Sequence, residues 1–258
     1  MIRAALVTGG GTGIGAAIAR RLSADGLGVC ITGRRREPLD EVAAETGALA
    51  FVGDTGDPED ARKAVAAAKD AFGRLDALVC NAGIGLGGTV EEQTLEGWEA
   101  VMRTNLTGAF LACRAALPEL VRTKGSIVTI SSDAGLRVAP RSAAYCTAKA
   151  GLIMLTQCIA LDYGPQGVRA NCLCPGWVRT PMADDEMDGL GELRGTDREG
   201  AYELVTSQVP LRRPGSPEEI AAAVAWLASD DAGFTTGAVI AIDGGNSIVD
   251  TSCTVFAT

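Results

Sequence analysis

The sequence predicts an α/β protein with a doubly wound parallel sheet and helices on both faces. Three observations predict it. Short apolar runs alternate with longer segments of helical spacing from residue 4 onward. The runs are continuously apolar, as strands buried on both faces are. A glycine cluster follows the first run and opens the first helix, where such sheets place a ligand loop.

The elements follow in order. Ala4–Val7 is a first strand, and Ala16–Leu22 has helical spacing. Val29–Thr32 is a second strand, with a helix near Pro38–Thr46. Leu49–Val52 is a third, followed by the Ala-rich helix Pro58–Phe72. Leu75–Cys80 is a fourth, and Leu95–Val121 reads as one long helix that Pro118 should end or bend. Ile127–Ile130, Val168–Leu173 and Ala238–Ile242 complete seven strands. Ala143–Tyr163 is a second long helix. Ser216-Pro217-Glu218-Glu219 is a capping box with Pro at the first helical position, so a helix runs from there to about Ala228. No composition break divides residues 1–258, which read as a single domain. The stretch 181–214 breaks the rhythm. It is either a poorly ordered surface loop or a substrate lid.

Composition excludes several classes. The chain has 258 residues and no histidine, so a Ser-His-Asp triad, a His-ligated metal and an imidazole base are impossible. Acid/base work must use Tyr, Lys, Cys or a carboxylate. The net charge of -9 argues against a nucleic-acid partner. No apolar run reads as membrane-spanning and no signal peptide is evident, so a cytoplasmic protein without a membrane partner is expected. The eight cysteines form no CxxC, and Cys30, Cys80, Cys113 and Cys158 sit in apolar contexts. They read as buried thiols in a reducing compartment, not as metal ligands.

Thr8-Gly9-Gly10-Gly11-Thr12-Gly13-Ile14-Gly15 forms the glycine loop. Glycine permits the turn and a close backbone approach to pyrophosphate, and the helix N-terminus offers N–H groups to that anion. No Gly-Lys-Ser/Thr follows, so the P-loop pattern fails. A kinase loop fails too, because its catalytic loop needs His. After the second strand, where an acid would accept from both ribose hydroxyls, stands Gly33, followed by Arg34, Arg35 and Arg36. A missing acid beside guanidinium groups suits a 2′-phosphate, so NADP(H) is expected over NAD(H). The competing reading is a solvated basic turn.

Tyr145 has Lys149 four residues on, one helical turn away. An ammonium near a phenol lowers the phenol's pKa from roughly 10. Ser131-Ser132 ends the fifth strand, where a hydroxyl would face the same cleft.

With these residues the chain resembles the short-chain dehydrogenase/reductase family over nearly its whole length. Thr8-Gly9…Gly13…Gly15 matches the family's TGxxxGxG, Asn81-Ala82-Gly83 its NAG, and Tyr145…Lys149 with Ser132 its catalytic set. Asn105 matches the helix asparagine and Pro175-Gly176 the PG after the sixth strand. The resemblance implies a Rossmann fold and a hydride exchanged between nicotinamide and a ketone or secondary alcohol. Tyr145 would move the proton, Lys149 would lower its pKa and hold the ribose, and Ser132 would bond the substrate oxygen. Asn105 would hold a relay water. Cofactor contacts would come from Gly9, Thr12, Gly13, Ile14 and Gly15 at the pyrophosphate, and from Arg34 and Arg35 at the 2′-phosphate. Asp54 and Thr55 would lie near the adenine, and Asn81, Ala82 and Gly83 beside the adenosine half and ribose. Pro175, Gly176, Val178 and Thr180 would lie by the carboxamide and phosphates. No catalytic metal is implied, and a homotetramer is.

Two features depart from the family. Asp133 reads as solvated or paired with Arg137 or Arg141, in preference to a substrate contact. Residues 246–258 extend past the usual end and carry Ile248, Val249, Val255 and Phe256. This apolar tail is expected to pack on a neighbouring subunit. A 3-oxoacyl-thioester reductase is the specific alternative, which would need a basic patch such as Arg122, Lys124, Arg137 and Arg141 to dock an acidic carrier. Remoter alternatives are a non-catalytic dinucleotide-binding protein and a sugar-nucleotide epimerase or dehydratase. The catalytic set argues against the first and chain length against the second.

Overall fold

The structure is a computed structural model that describes residues 3–250. The described residues form one seven-stranded parallel sheet of order β3-β2-β1-β4-β5-β6-β7. The strands are β1 (Ala4–Thr8), β2 (Gly28–Gly33), β3 (Leu49–Val52), β4 (Ala77–Cys80), β5 (Ser126–Ile130), β6 (Arg169–Pro175) and β7 (Val239–Ile242). β1 pairs with β2 on one side and β4 on the other. Strand order therefore reverses beside β1, and a crevice opens at the carboxyl ends there.

Alternation along each strand divides the core between the faces. Ala5, Val7, Ala77, Val79, Val128 and Ile130 point to one side. There they meet α1 (Gly13–Ala24), α2 (Arg36–Thr46) and α9 (Pro217–Ala228) through Ile18, Leu22, Leu39 and Val224. Leu6, Leu78, Cys80 and Ile127 point to the other. They meet α3 (Pro58–Phe72), α5 (Gly108–Thr123) and α6 (Ala143–Tyr163) through Val65, Leu117, Leu120 and Leu152. Burying each Leu or Ile contributes about 1.5–3 kcal/mol, so each face holds its own helices.

Local signals set the helix ends. Asp57 Oδ1 accepts from the Glu59 and Asp60 amides at 2.7 and 3.1 Å, with Pro58 behind it, and Gly73 closes α3 at φ 75°. Ser216 and Glu219 form the expected reciprocal box at α9.

Several expectations need correction. The long helix is α4 (Leu95–Met102), a π-turn over Arg103–Thr107, and then α5. Pro118 lies inside α5 and does not end it. Buried Ala116, Leu117 and Leu120 hold that helix across the lost N–H. The interruption falls at Asn105, whose amide is buried and bonded to residue 84. The stretch 181–214 is no poorly ordered loop. It forms α7 (Pro181–Arg194) and α8 (Arg198–Thr206), closed around Met187, Ala201 and Tyr202. Two of its acidic residues are spent on structure: Asp184 accepts from the Tyr202 hydroxyl at 2.8 Å, and Asp188 pairs with Arg198. Six of the seven described cysteines are buried, but Cys158 is exposed. Helix α6, with the turn after it, is long and apolar enough to cross a membrane, contrary to the sequence reading. In this fold its buried side, including Ala144, Ala148, Leu152 and Thr156, faces the protein.

Candidate active site

A cleft of about 1020 Å³ lies at the carboxyl ends of β1, β2, β4, β5 and β6. That is the upper end of the range for ligand pockets. The cleft gathers residues that the sequence spreads from Gly9 to Val249.

At the β1 end the glycine loop is folded tightly onto the end of β4. Gly9 has φ +66°, and a Cβ there would stand 2.9 Å from the Ala82 Cα. A Cβ on Gly15 would stand 2.0 Å from the Gly9 carbonyl oxygen. Asn81 Nδ2 donates to the carbonyls of Thr8 and Gly9 at 3.0 and 3.1 Å. Thr8 Oγ1 accepts from the amides of Asn81 and Ala82 at 3.0 and 3.1 Å. Thr8 was not among the site residues expected from sequence. Its place at the strand end, just before the glycines, was the available signal. Thr12 stands at the N-cap of α1 and makes no side-chain cap bond. The first amides of α1 therefore face the cleft as an anion site. This cradle, which a single methyl would fill, fits the pyrophosphate of a dinucleotide.

Arg34 and Arg35 line the same cleft at the end of β2. Arg36, by contrast, pairs with Asp40 at 3.8 Å. Gly33 is not sterically obliged, since a Cβ there would meet Leu39 at an ordinary 3.6 Å. Thr55 and Asp54 line the cleft beyond. Asp54 is engaged: it accepts from the Gly56 amide at 2.9 Å and from Arg103 at 2.7 Å. Burial raises its pKa, but those two partners outweigh burial and leave the carboxyl below its ordinary value.

The acid/base residues meet between β5 and α6. Lys149 Nζ donates to the Ile130 carbonyl at 2.8 Å and lies 5.5 Å from the centre of the Tyr145 ring. Ser131 Oγ donates to the Lys149 carbonyl at 2.8 Å, tying α6 to the strand end. Asn105 Oδ1 accepts from the Ile84 amide at 2.8 Å, and Nδ2 donates to the Ile84 carbonyl at 2.9 Å. The side chain thus pairs with the backbone after β4, which holds the π-turn. A Cβ on Gly83 would lie 3.5 Å from both Asn105 Oδ1 and Lys149 Nζ. Asn105 itself is not among the residues lining the cleft. Ser132, Tyr145, Lys149, Pro175, Gly176, Val178 and Thr180 are.

The phenol's ionisation differs from the sequence expectation. Burial pushes Tyr145 up to about 12, aided by the charges of Glu186 and Asp133, with Ser132 opposing. Burial also pushes Lys149 down to about 8, so the ammonium meant to lower the phenol is itself destabilised. Between about pH 8 and 10.5 the folded state binds fewer protons at Lys149 than the unfolded chain does. Stability from this group therefore rises with pH across that window, and below it the cost of the buried charge is fully present. The cost is on the order of 3 kcal/mol at pH 7, offset by about 1 kcal/mol from the bond to Ile130. Lys149→Met should therefore raise the ligand-free melting temperature at pH 7 by several degrees. A lower melting temperature in calorimetry would show that the bond outweighs the burial cost.

The far rim was not foreseen. Asp133 pairs with neither Arg137 nor Arg141; it accepts from Ser132 Oγ at 3.0 Å and from Asn246 Nδ2 at 2.8 Å. Arg141 pairs with Glu92 instead, and Arg137 donates to the Val249 carbonyl at 3.2 Å. The start of the tail folds back onto its own cleft, which Asn246, Ser247 and Val249 line. Asp243 makes this turn by accepting from the amides of Gly245 and Ser247 at 2.9 and 2.7 Å. Ile248 is exposed, while Val255 and Phe256 lie outside the described residues. Glu186 and Gln208 line the cleft from the α7–α8 side. Among the described residues no group of His, Cys, Asp and Glu is placed to hold a metal ion.

A sequence-family profile described as enoyl-(acyl carrier protein) reductase matches residues 9–247. The chain is 44% identical to protein MoaE of Klebsiella aerogenes, over all of both chains. It is 37% identical to meso-2,3-butanediol dehydrogenase of Serratia marcescens, covering 95% of this chain and 94% of the relative. Among solved structures, levodione reductase superposes with TM-score 0.91 at 35% identity, covering 96% of this chain and 98% of the other. A variant of actinorhodin polyketide ketoreductase with NADPH superposes with TM-score 0.91 at 33% identity, with the same coverage. With this fold and these relatives, the chain belongs to the short-chain dehydrogenase/reductase family.

Proposed function

We propose that the cleft exchanges a hydride between a nicotinamide cofactor and a ketone or secondary alcohol, with Tyr145 as the proton donor and acceptor. The chain is an NAD(P)-dependent oxidoreductase acting on CH–OH groups. One observation carries the residue assignment: Tyr145, Lys149 and Ser132 open into the same cleft as the glycine cradle. The bound nicotinamide supplies the hydride chemistry. Tyr145 passes a proton to the carbonyl oxygen in reduction and takes it from the hydroxyl in oxidation. Lys149, anchored on Ile130, faces Gly83 and holds the ribose hydroxyls with its remaining N–H bonds. Ser132 fixes the substrate oxygen against the phenol. Asn105 holds the π-turn beside Lys149, and a relay water at its backbone would return a proton to the Lys149 amine after the ammonium has given one toward Tyr145. A panel of secondary alcohols and ketones, followed at the nicotinamide absorbance band with both cofactors, tests the activity. Absence of turnover across the panel would overturn it.

NADP(H) is the cofactor this reading favours, because Arg34 and Arg35 stand at the end of β2 with no acid at position 33. Arg34→Ala should weaken NADPH binding by about tenfold and leave NADH unchanged. Equal NADPH affinity in parent and variant, by fluorescence titration, would remove the assignment.

The relatives' names favour small alcohols over acyl thioesters. The basic patch that a carrier protein would need is also largely spent. Arg122 pairs with Glu119, Arg141 with Glu92, and Arg137 bonds Val249. We assign a homotetramer, supported by exposed Phe110 on α5 and exposed Met154 and Leu161 on α6. A monomer in sedimentation equilibrium would contradict it. The described cysteines form no disulfide, which suits the cytoplasm.

A further inference from the structure

The acid-rich start of α7 leaves one carboxylate in the cleft without a partner. Asp184 and Asp188 are bonded to Tyr202 and Arg198, and Asp185 is exposed and lies off the cleft. Glu186 lines the cleft. Among the described residues no hydrogen bond or ion pair reaches it. Arg137 and Lys149, which also line the cleft, donate to the carbonyls of Val249 and Ile130. On the α7–α8 side Arg179 pairs with Glu199 and Arg198 with Asp188. The Glu186 Oε1 lies 3.5 Å from where a Cβ on Gly85 would stand, so the side chain reaches from α7 toward the loop after β4. Met182, one turn before it on α7, and Leu86, next to Gly85, line the cleft too. The side chain keeps access to solvent, yet partial burial of its carboxyl raises its pKa above the usual carboxylate value. After burial, Glu186 does most to raise the Tyr145 phenol, ahead of Asp133. It therefore stands within electrostatic reach of the reacting carbon.

We propose that Glu186 is a specificity residue that pairs with an ammonium group on the substrate, so that the cleft takes amino alcohols and their amino ketones in preference to neutral ones. The inference rests on the dehydrogenase reading above. An ionised carboxylate only accepts, and holding one partly out of water without a countercharge costs stability. An ammonium supplies both the donor and the charge, and so recovers that cost on binding. A hydroxyl supplies the donor alone. Met182 and Leu86 offer an apolar surface to the carbons between the ammonium and the reacting centre. The redox step is unchanged. The carbinol carbon gives its hydride to nicotinamide, the hydroxyl gives its proton to Tyr145, and the ammonium keeps all its bonds.

The test measures kcat/KM for oxidation at neutral pH and saturating cofactor, with isosteric sets of alcohols. One set is 1-amino-2-propanol, 2-butanol and 1,2-propanediol; the other is 4-amino-2-butanol, 2-pentanol and 1,3-butanediol. In at least one set the amino alcohol should exceed both neutral isosteres by about thirtyfold. Glu186→Gln keeps the shape and an acceptor oxygen but removes the charge. It should bring the amino alcohol down to the neutral ones, whose oxidation should rise by about threefold because the phenol loses a raising charge. Glu186→Lys should invert the order, with the neutral isosteres ahead by about tenfold. A diol that matches its amino alcohol would show that the carboxylate reads a hydroxyl. A loss in Glu186→Gln shared by every alcohol would show that it acts through the oxidised nicotinamide ring. Either result overturns the inference, as does a parent that oxidises neutral alcohols but prefers no amino alcohol, and each leaves the dehydrogenase reading intact. A parent with no turnover on these sets or on the wider panel of alcohols and ketones would overturn both.

Discussion

Tyr145→Phe should lose turnover by about three orders of magnitude or more, while NADPH binding stays within about twofold of the parent. The ring is retained, so packing in the cleft is kept and only the phenolic oxygen is removed. Among the described residues no imidazole exists to take over, since the chain contains none. The nearest titratable groups are poor substitutes. Lys149 is turned toward the Ile130 carbonyl, and Asp133 is occupied by Ser132 and Asn246. The loss should fall on kcat, because the missing proton transfer acts in the transition state. Stopped-flow absorbance for turnover and fluorescence titration for binding separate the two. Near-normal turnover would refute Tyr145 as the proton carrier.

Gly15→Ala should abolish cofactor binding and destabilise the fold together. The added methyl would stand 2.0 Å from the Gly9 carbonyl oxygen and 2.5 Å from Asn81 Nδ2. One neighbour is backbone, and the other holds the loop to the end of β4 through two bonds. Neither can yield without moving α1 from the loop it caps. We expect about 2–4 kcal/mol of lost stability and at least a hundredfold loss of NADPH affinity. Gly164→Ala is the matched control, since a methyl there meets nothing within 4 Å and lies outside the cleft. It should melt and bind within error of the parent. Equal behaviour of the two variants in calorimetry and titration would show that the cradle is not the dinucleotide site.

The strands were legible because burial on both faces leaves continuous apolar runs, and their bounds moved by only a residue or two. Helices with local caps, such as α3 and α9, were equally plain. What escaped depends on partners distant in sequence. The π-turn at Asn105 follows from pairing with residue 84, and neither residue signals it alone. Pro118 misled because its own neighbours pack well enough to keep the helix. The acidic stretch in 181–214 read as loop because Tyr202 and Arg198, which hold Asp184 and Asp188, lie a helix away. The inner half of the candidate site, from Gly9 to Lys149, was legible through spacing. The rim formed by Asp133, Asn246 and Val249 was not, since residues 113 apart in sequence meet there. The ionisation of Tyr145 also depends on burial, which no residue spacing reports.

The most direct test of the account is the pH dependence of kcat/KM for alcohol oxidation and ketone reduction, in parent and Tyr145→Phe. In the ligand-free protein the phenol ionises at about 12, so at neutral pH it holds its proton. Oxidation needs the phenolate and should rise with pH, approaching tenfold per unit while the phenol stays mostly protonated. Reduction needs the phenol and should fall only as pH climbs through the same ionisation. The account predicts that this dependence vanishes from the residual activity of Tyr145→Phe. The same pH dependence persisting in that variant would contradict it.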